Sequence, residues 1–124
     1  MSFVLTQNGA LSPINSLITG GTYTFSAPPS AFVSISGLPV YAGPLKYTFS
    51  GGSSPGFIDG SIVSTGEQTI NPTPSSMTVE GKPVVRVGDQ GVMSAVGELT
   101  AGGTGPISGP VEVSDAGQES VEAI

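Results

Sequence analysis

The 124-residue chain contains no cysteine, no histidine and only three basic residues, Lys46, Lys82 and Arg86, against nine carboxylates. Without cysteine there are no disulfides, and thiol usage carries no sign of a redox compartment. Without histidine the commonest general base and the commonest zinc ligand are both missing. Three cations cannot neutralise many phosphates, which argues against nucleic-acid binding. The net charge of −6 argues equally against anionic membrane surfaces. No run of about 20 apolar residues is present to span a bilayer as a helix. The N-terminus lacks the basic stretch and long apolar core of a signal peptide. Assembly in the cytoplasm of the producing cell is therefore expected.

Glycine (19) and proline (11) together make up about a quarter of the residues. That level raises the question of disorder, yet disordered chains are charged and poor in β-branched residues. This one has few charges and many Val, Ile, Thr and Ser residues. The longest stretches free of Gly and Pro, Met1 to Asn8, Ser30 to Ser36 and Gln118 to Ile124, are too short for amphipathic helices. Short alternating runs recur instead, and each predicts a half-buried strand. They are Phe3 to Leu5, Thr22 to Phe25, Phe32 to Ile35, Lys46 to Phe49, Ser61 to Ser64, Met77 to Val79, Val84 to Val87 and Val111 to Val113. The expectation is one all-β domain over residues 1–124. Residues 1–28 would flank its repeats, with Met1 to Phe25 wrapping the base or adding a strand, and residues 118–124 would form a tail expected to fray.

One phrase occurs twice. Pro29-Ser30-Ala31-Phe32-Val33-Ser34-Ile35-Ser36-Gly37-Leu38-Pro39-Val40-Tyr41-Ala42-Gly43 returns as Pro74-Ser75-Ser76-Met77-Thr78-Val79-Glu80-Gly81-Lys82-Pro83-Val84-Val85-Arg86-Val87-Gly88. An internal repeat implies copies of one supersecondary unit. Alternation up to Gly37 and Gly81 predicts a strand ending in a tight hairpin turn, with positive φ at the glycine. Pro39 and Pro83 follow where a strand tolerates the loss of a donor. Val84 to Val87 reads as the return strand, and Gly88-Asp89 turns away from it. Pro110-Val111-Glu112-Val113-Ser114-Asp115-Ala116-Gly117 is a weaker third echo. Three such hairpins around one axis would give approximate threefold symmetry. Two or three hairpins in an ordinary β-sandwich fit the periodicity equally well.

The second copy resembles the signature of the PAAR-repeat proteins, in which a strand ending in Asn-Gly is followed by Lys-Pro-Ala-Ala-Arg-x-Gly-Asp. Gly81, Lys82, Pro83, Arg86, Gly88 and Asp89 match. Val84 and Val85 replace the alanines, and Glu80 replaces the asparagine. In the first copy Gly37, Pro39 and Gly43 keep the looser pattern. Gly102 to Pro110 before Val111 resembles the family's Gly-rich return into its last strand. The resemblance covers about residues 29 to 117. It implies a small cone-shaped, pseudo-threefold arrangement of short strands and hairpins, monomeric on its own. It further implies a structural role without catalysis. One copy would cap a trimeric β-helical spike of a contractile phage tail, a type VI secretion apparatus or a related injection particle. The cap would sit at the tip and meet the target envelope first. Many members hold an apical metal with three histidines and one cysteine; this composition excludes such a site, and no cofactor is expected.

Other singled-out residues have plainer readings. Arg86 reads as a docking contact or, more plainly, as a surface partner of Asp89 or Glu80 worth little in solvent, and Lys82 as solvated. Asp89 and Asp115 sit in Gly-rich turns, but oxygen ligation of a cation needs about six donors in a specific loop, and none is evident. Phe3, Phe25, Phe32, Tyr41, Tyr47, Phe49 and Phe57 would form either a core or, in a β-sandwich binding module, a platform for a glycan or capsid surface. Gly51-Gly52-Ser53-Ser54-Pro55-Gly56 lacks the spacing of a nucleophile elbow, and no histidine is available to activate a serine. No catalytic residue is expected.

Overall fold

The computed structural model describes residues 2–14, 17–30 and 33–123. The expected strand start at Phe32 lies outside them. The described residues contain no helix and thirteen strands. These are β1 (Ser2–Phe3), β2 (Ala10–Pro13), β3 (Thr19–Phe25), β4 (Ser34–Ile35), β5 (Leu38–Pro39), β6 (Leu45–Ser53) and β7 (Val63–Ser64). They continue with β8 (Gln68–Ile70), β9 (Thr78–Val79), β10 (Lys82–Pro83), β11 (Gln90–Glu98), β12 (Thr104–Asp115) and β13 (Glu122–Ala123). The all-β expectation holds.

The longer strands form a curled half-barrel of two sheets, β2-β12-β11-β7 and β3-β6-β8. Alternation decides which residues face inward. Leu45, Tyr47 and Phe49 of β6, Met93 and Ala95 of β11, and Val111 and Val113 of β12 are buried in one core with Leu11, Ile18, Ile62 and Ile70. β8 lies beside β11 and β2 beside β3. The first approach depends on Gly91, where a Cβ would stand only 2.9 Å from the Thr69 carbonyl oxygen.

The short strands form three two-stranded units, β4-β5, β9-β10 and β13-β1. The first two are the repeated phrase. Ser34 pairs with Pro39 and Ile35 with Leu38; Thr78 pairs with Pro83 and Val79 with Lys82. Their turns are Ser36-Gly37 (φ 53° and 80°) and Glu80-Gly81 (φ 53° and 78°). Positive φ at both central positions is the type I′ hairpin, whose twist matches that of the flanking strands.

The third unit corrects two expectations. Val111 to Val113 lies within the twelve-residue β12 and forms no hairpin of the repeated kind. The third copy is instead assembled from the two ends of the chain, with Ser2 opposite Ala123 and Phe3 opposite Glu122. Residues 118–123 are therefore docked rather than frayed, and the N-terminal segment supplies an arm of the third unit as well as β2 and β3. The weak sequence signal has a physical cause: a hairpin closed without a turn needs no Gly at its bend. A smaller correction concerns Val84 to Val87. The return strand proper is only Lys82–Pro83, because the chain beyond it leaves its hairpin to pair with two other segments.

Candidate functional site: a three-cornered face

Beyond each hairpin the chain enters a common junction. Val4 bridges Arg86, Val40 bridges Thr6 and Val84 bridges Ala42. The backbone bonding is cyclic. Leu5 N–H donates to Val85 O at 2.8 Å, Val85 N–H to Tyr41 O at 2.9 Å, and Tyr41 N–H to Leu5 O at 3.0 Å. A second ring surrounds it: Gln7 N–H to Pro39 O at 3.1 Å, Gly43 N–H to Pro83 O at 2.8 Å, and Val87 N–H to Phe3 O at 2.9 Å. Pro39 and Pro83, which cannot donate, thus serve as acceptors. Within each hairpin one bond repeats as well: Val4 to Val121, Val40 to Val33 and Val84 to Met77, at 3.1–3.2 Å.

Strand alternation makes this junction a partition between two cores. Leu5, Tyr41 and Val85 face the half-barrel core. Their neighbours Val4, Val40 and Val84 face a second cluster with Ile35, Val79 and Ala123, one from each hairpin. The valine layer is 0–1% exposed and the outer layer 3–8%. Buried backbone needs partners, and the rings supply them without a helix or a continuous ladder.

The outer strands β4, β9 and β13 each pair on one side only among the described residues. Register fixes what their other side offers. Val40 N–H bonds Val33 O, so Ser34 and Pro39 are a non-hydrogen-bonded pair. The same holds at Thr78 and at Glu122. In such pairs the N–H and C=O point away from the partner strand. Ser34, Thr78 and Glu122 are all exposed. The face therefore carries three equivalent open strand edges, a template for further pairing.

The predicted motif residues fall on this face or beneath it. Gly37 and Gly81 are the turn residues, and Pro39 and Pro83 are ring acceptors. Gly43 (φ 71°) is buried under the Lys82 stem, whose Cδ would lie 2.9 Å from a Cβ there. Lys82 itself is exposed. Gly88 N–H donates to Val113 O at 2.9 Å. Arg86 differs from its sequence reading. Its guanidinium reaches not Asp89 or Glu80 but Thr73 Oγ1 at 2.5 Å, Pro74 O at 3.2 Å and Ala123 O at 3.2 Å, tying the linker before β9 to the C-terminal strand. Its Nε is buried without a hydrogen-bond partner. Asp89, 3% exposed, accepts the backbone N–H of Arg86 at 2.8 Å and the hydroxyl of Thr73 at 2.9 Å.

Tyr41, Tyr47 and Phe49 are buried in the half-barrel core and the half-buried Phe25 and Phe57 pack against it, so these rings line no platform; Phe3 is half-buried, and Phe32 lies outside the described residues. Burial raises the Tyr23, Tyr41 and Tyr47 phenols above their ordinary value, Tyr47 to about 12 with a smaller contribution from Tyr23. Asp115 Oδ1 accepts the Gly117 N–H at 2.9 Å. Among the described residues no group of three His, Cys, Asp or Glu side chains converges. No helix among them is long and apolar enough to cross a membrane.

Sequence reasoning missed β13 as part of this face, whereas the N-terminal segment, expected to wrap the base or add a strand, does add one as β1. Val121-Glu122-Ala123 carries the same alternation as Met77-Thr78-Val79, which was the signal available. Compared with known proteins, the chain matches no family model, no curated protein and no solved structure.

Proposed function

We propose that the three-cornered face caps the end of a threefold partner, one copy per three identical chains, and that the protein is a structural tip of the PAAR-like kind. In this reading the arrangement is a small pseudo-threefold cone, and its partner is the trimeric β-helical spike of a phage tail or related injection apparatus. The protein would sit at the virion or apparatus tip and meet the target envelope first. The observation that carries the reading is the cyclic bonding of Leu5, Val85 and Tyr41, which makes three segments of one chain equivalent at the backbone.

Symmetry supports the hairpin end as the docking end. The three hairpins match one another in register, whereas the connections at the far end do not. Residues 54–62 join β6 to β7, while only residues 14–18 and 99–103 join β2 to β3 and β11 to β12. A threefold partner can engage all three corners of the hairpin end and not of the other. The contact would be strand addition, in which backbone bonds supply affinity. A β-helix end exposes unpaired backbone and apolar core, and a cap with three open edges over an apolar layer covers both.

The test is the stoichiometry of a co-purified complex with the spike trimer, read by native mass spectrometry. One copy per trimer is expected. Proline at Ser34, Thr78 or Glu122 removes an outward donor without removing a hairpin hydrogen bond. Each such substitution should weaken capture at least tenfold while circular dichroism stays unchanged. Three copies per trimer, or no complex, would overturn the proposal.

A further inference from the structure

The third corner differs from the other two in one respect: no turn closes it. Ser36-Gly37 and Glu80-Gly81 join their strands covalently, but β13 meets β1 only through non-covalent contacts. Those contacts are specific. The Gln118 side-chain amide donates to Val4 O at 2.9 Å and Val121 O at 2.8 Å, and its Oε1 accepts the N–H of Ser120 and of Val121. Val4 N–H bonds Val121 O at 3.2 Å, and Arg86 Nη1 bonds Ala123 O at 3.2 Å. The Ala123 side chain fills the layer that Ile35 and Val79 fill at the other corners. Upstream, Gly117 (φ 76°) fits where a Cβ would lie 2.5–2.7 Å from Asn8 C, Gly9 N and Thr6 Oγ1.

We propose that β1, Val4 and Arg86 form a peptide-binding groove for an extended strand, occupied here by the chain's own residues 117–123, and that the groove exchanges this strand for the same sequence supplied in trans. The inference goes beyond the capping reading and does not depend on it. A two-residue ladder that no turn closes opens locally, without unfolding the half-barrel. The Arg86 guanidinium is also held by Thr73 Oγ1 and Pro74 O, and the Val4 backbone by its bridge to Arg86, so both sides of the groove keep contacts that do not involve the strand. Recognition follows from the contacts: Gln at the first contact, Val over the second cluster, a small residue at the end. The attached strand competes at high effective concentration, so a free peptide binds measurably once the attached strand is weakened.

The experiment uses the full-length protein and a fluorescent peptide of residues 117–123, read by anisotropy. Gly117→Ala, strained at its φ and blocked by backbone, weakens the attached strand. It should bind the peptide at least tenfold more tightly than the unsubstituted chain. Phe3→Cys with Glu122→Cys, added to Gly117→Ala, cross-links a directly opposed pair in a chain with no other cysteine. The oxidised form should bind no peptide and recover on reduction. Absence of binding to Gly117→Ala, or equal binding to the cross-linked form, overturns the proposal. Hydrogen exchange of the unsubstituted chain gives an independent reading. The Val4 amide should exchange at least tenfold faster than those of Leu5, Tyr41 and Val85, and equal rates overturn the proposal even where Gly117→Ala does not fold.

Discussion

Asp89 braces the segment that carries Arg86. Its Oδ2 accepts the Arg86 N–H at 2.8 Å, and its Oδ1 accepts the N–H and hydroxyl of Thr73 at 3.3 and 2.9 Å. Thr73 in turn receives Arg86 Nη2, whose neighbouring nitrogen holds Ala123. One buried carboxylate thus fixes the turn after the junction, the linker before β9 and, through Arg86, the C-terminal strand.

Replacing Asp89 with alanine leaves the half-buried Arg86 N–H without its acceptor, at a cost of about 1–3 kcal/mol, while the exposed Thr73 donors can turn to water. The expected loss is about 1–3 kcal/mol in urea unfolding. Asp89→Asn keeps one acceptor oxygen and should fall between. Equal midpoints for Asp89→Ala and the unsubstituted chain would remove Asp89 from this role.

The three valines of the partition layer have matching surroundings, so they should respond alike. Val4→Ala, Val40→Ala and Val84→Ala each delete two buried methyl groups, and each should cost about 2 kcal/mol. Val4 is the discriminating case, because the sequence gives it no Gly-x-Pro context. A Val4→Ala cost well under half that of Val40→Ala, in the same denaturant series, would contradict the equivalence of the three corners.

How much of this was legible depends on local chemistry. The Ser36-Gly37 and Glu80-Gly81 turns were readable because a type I′ bend demands residues tolerant of positive φ. The inward Tyr47 and Phe49 were readable because β6 alternates. The rings were not, because Leu5, Tyr41 and Val85 owe their partnership to backbone groups that every residue carries. Arg86 was misread for a related reason. Asp89 is its near neighbour in sequence, but the turn commits both carboxylate oxygens to other donors and leaves the guanidinium to reach across to Ala123. The third corner was hidden because its strands stand at opposite ends of the chain.

The turns themselves offer a stabilising change. Ser36 and Glu80 are the non-glycine residues with positive φ among those described. Asparagine tolerates that region far better than most residues. Glu80→Asn and Ser36→Asn should each add about 0.5 kcal/mol, raising the thermal midpoint by about 2 °C. A fall in midpoint for both substitutions would mean that the Ser36 and Glu80 side chains do more than occupy a turn.

Tyr47 sets the alkaline limit. Its ring is fully buried, its hydroxyl has no hydrogen-bond partner, and burial pushes its pKa up to about 12. The folded state therefore holds the phenol proton more tightly than the unfolded chain, whose tyrosines titrate near 10. That contribution is complete below pH of about 10 and is lost as pH rises through about 12. Tyr47→Phe removes both the titration and the unsatisfied hydroxyl. It should raise stability at pH 7 by about 1 kcal/mol and flatten the decline of the urea midpoint between pH 10 and 12. A residual slope should remain, because burial also raises Tyr23 and Tyr41. An unchanged slope in Tyr47→Phe would assign the alkaline transition to those two phenols instead.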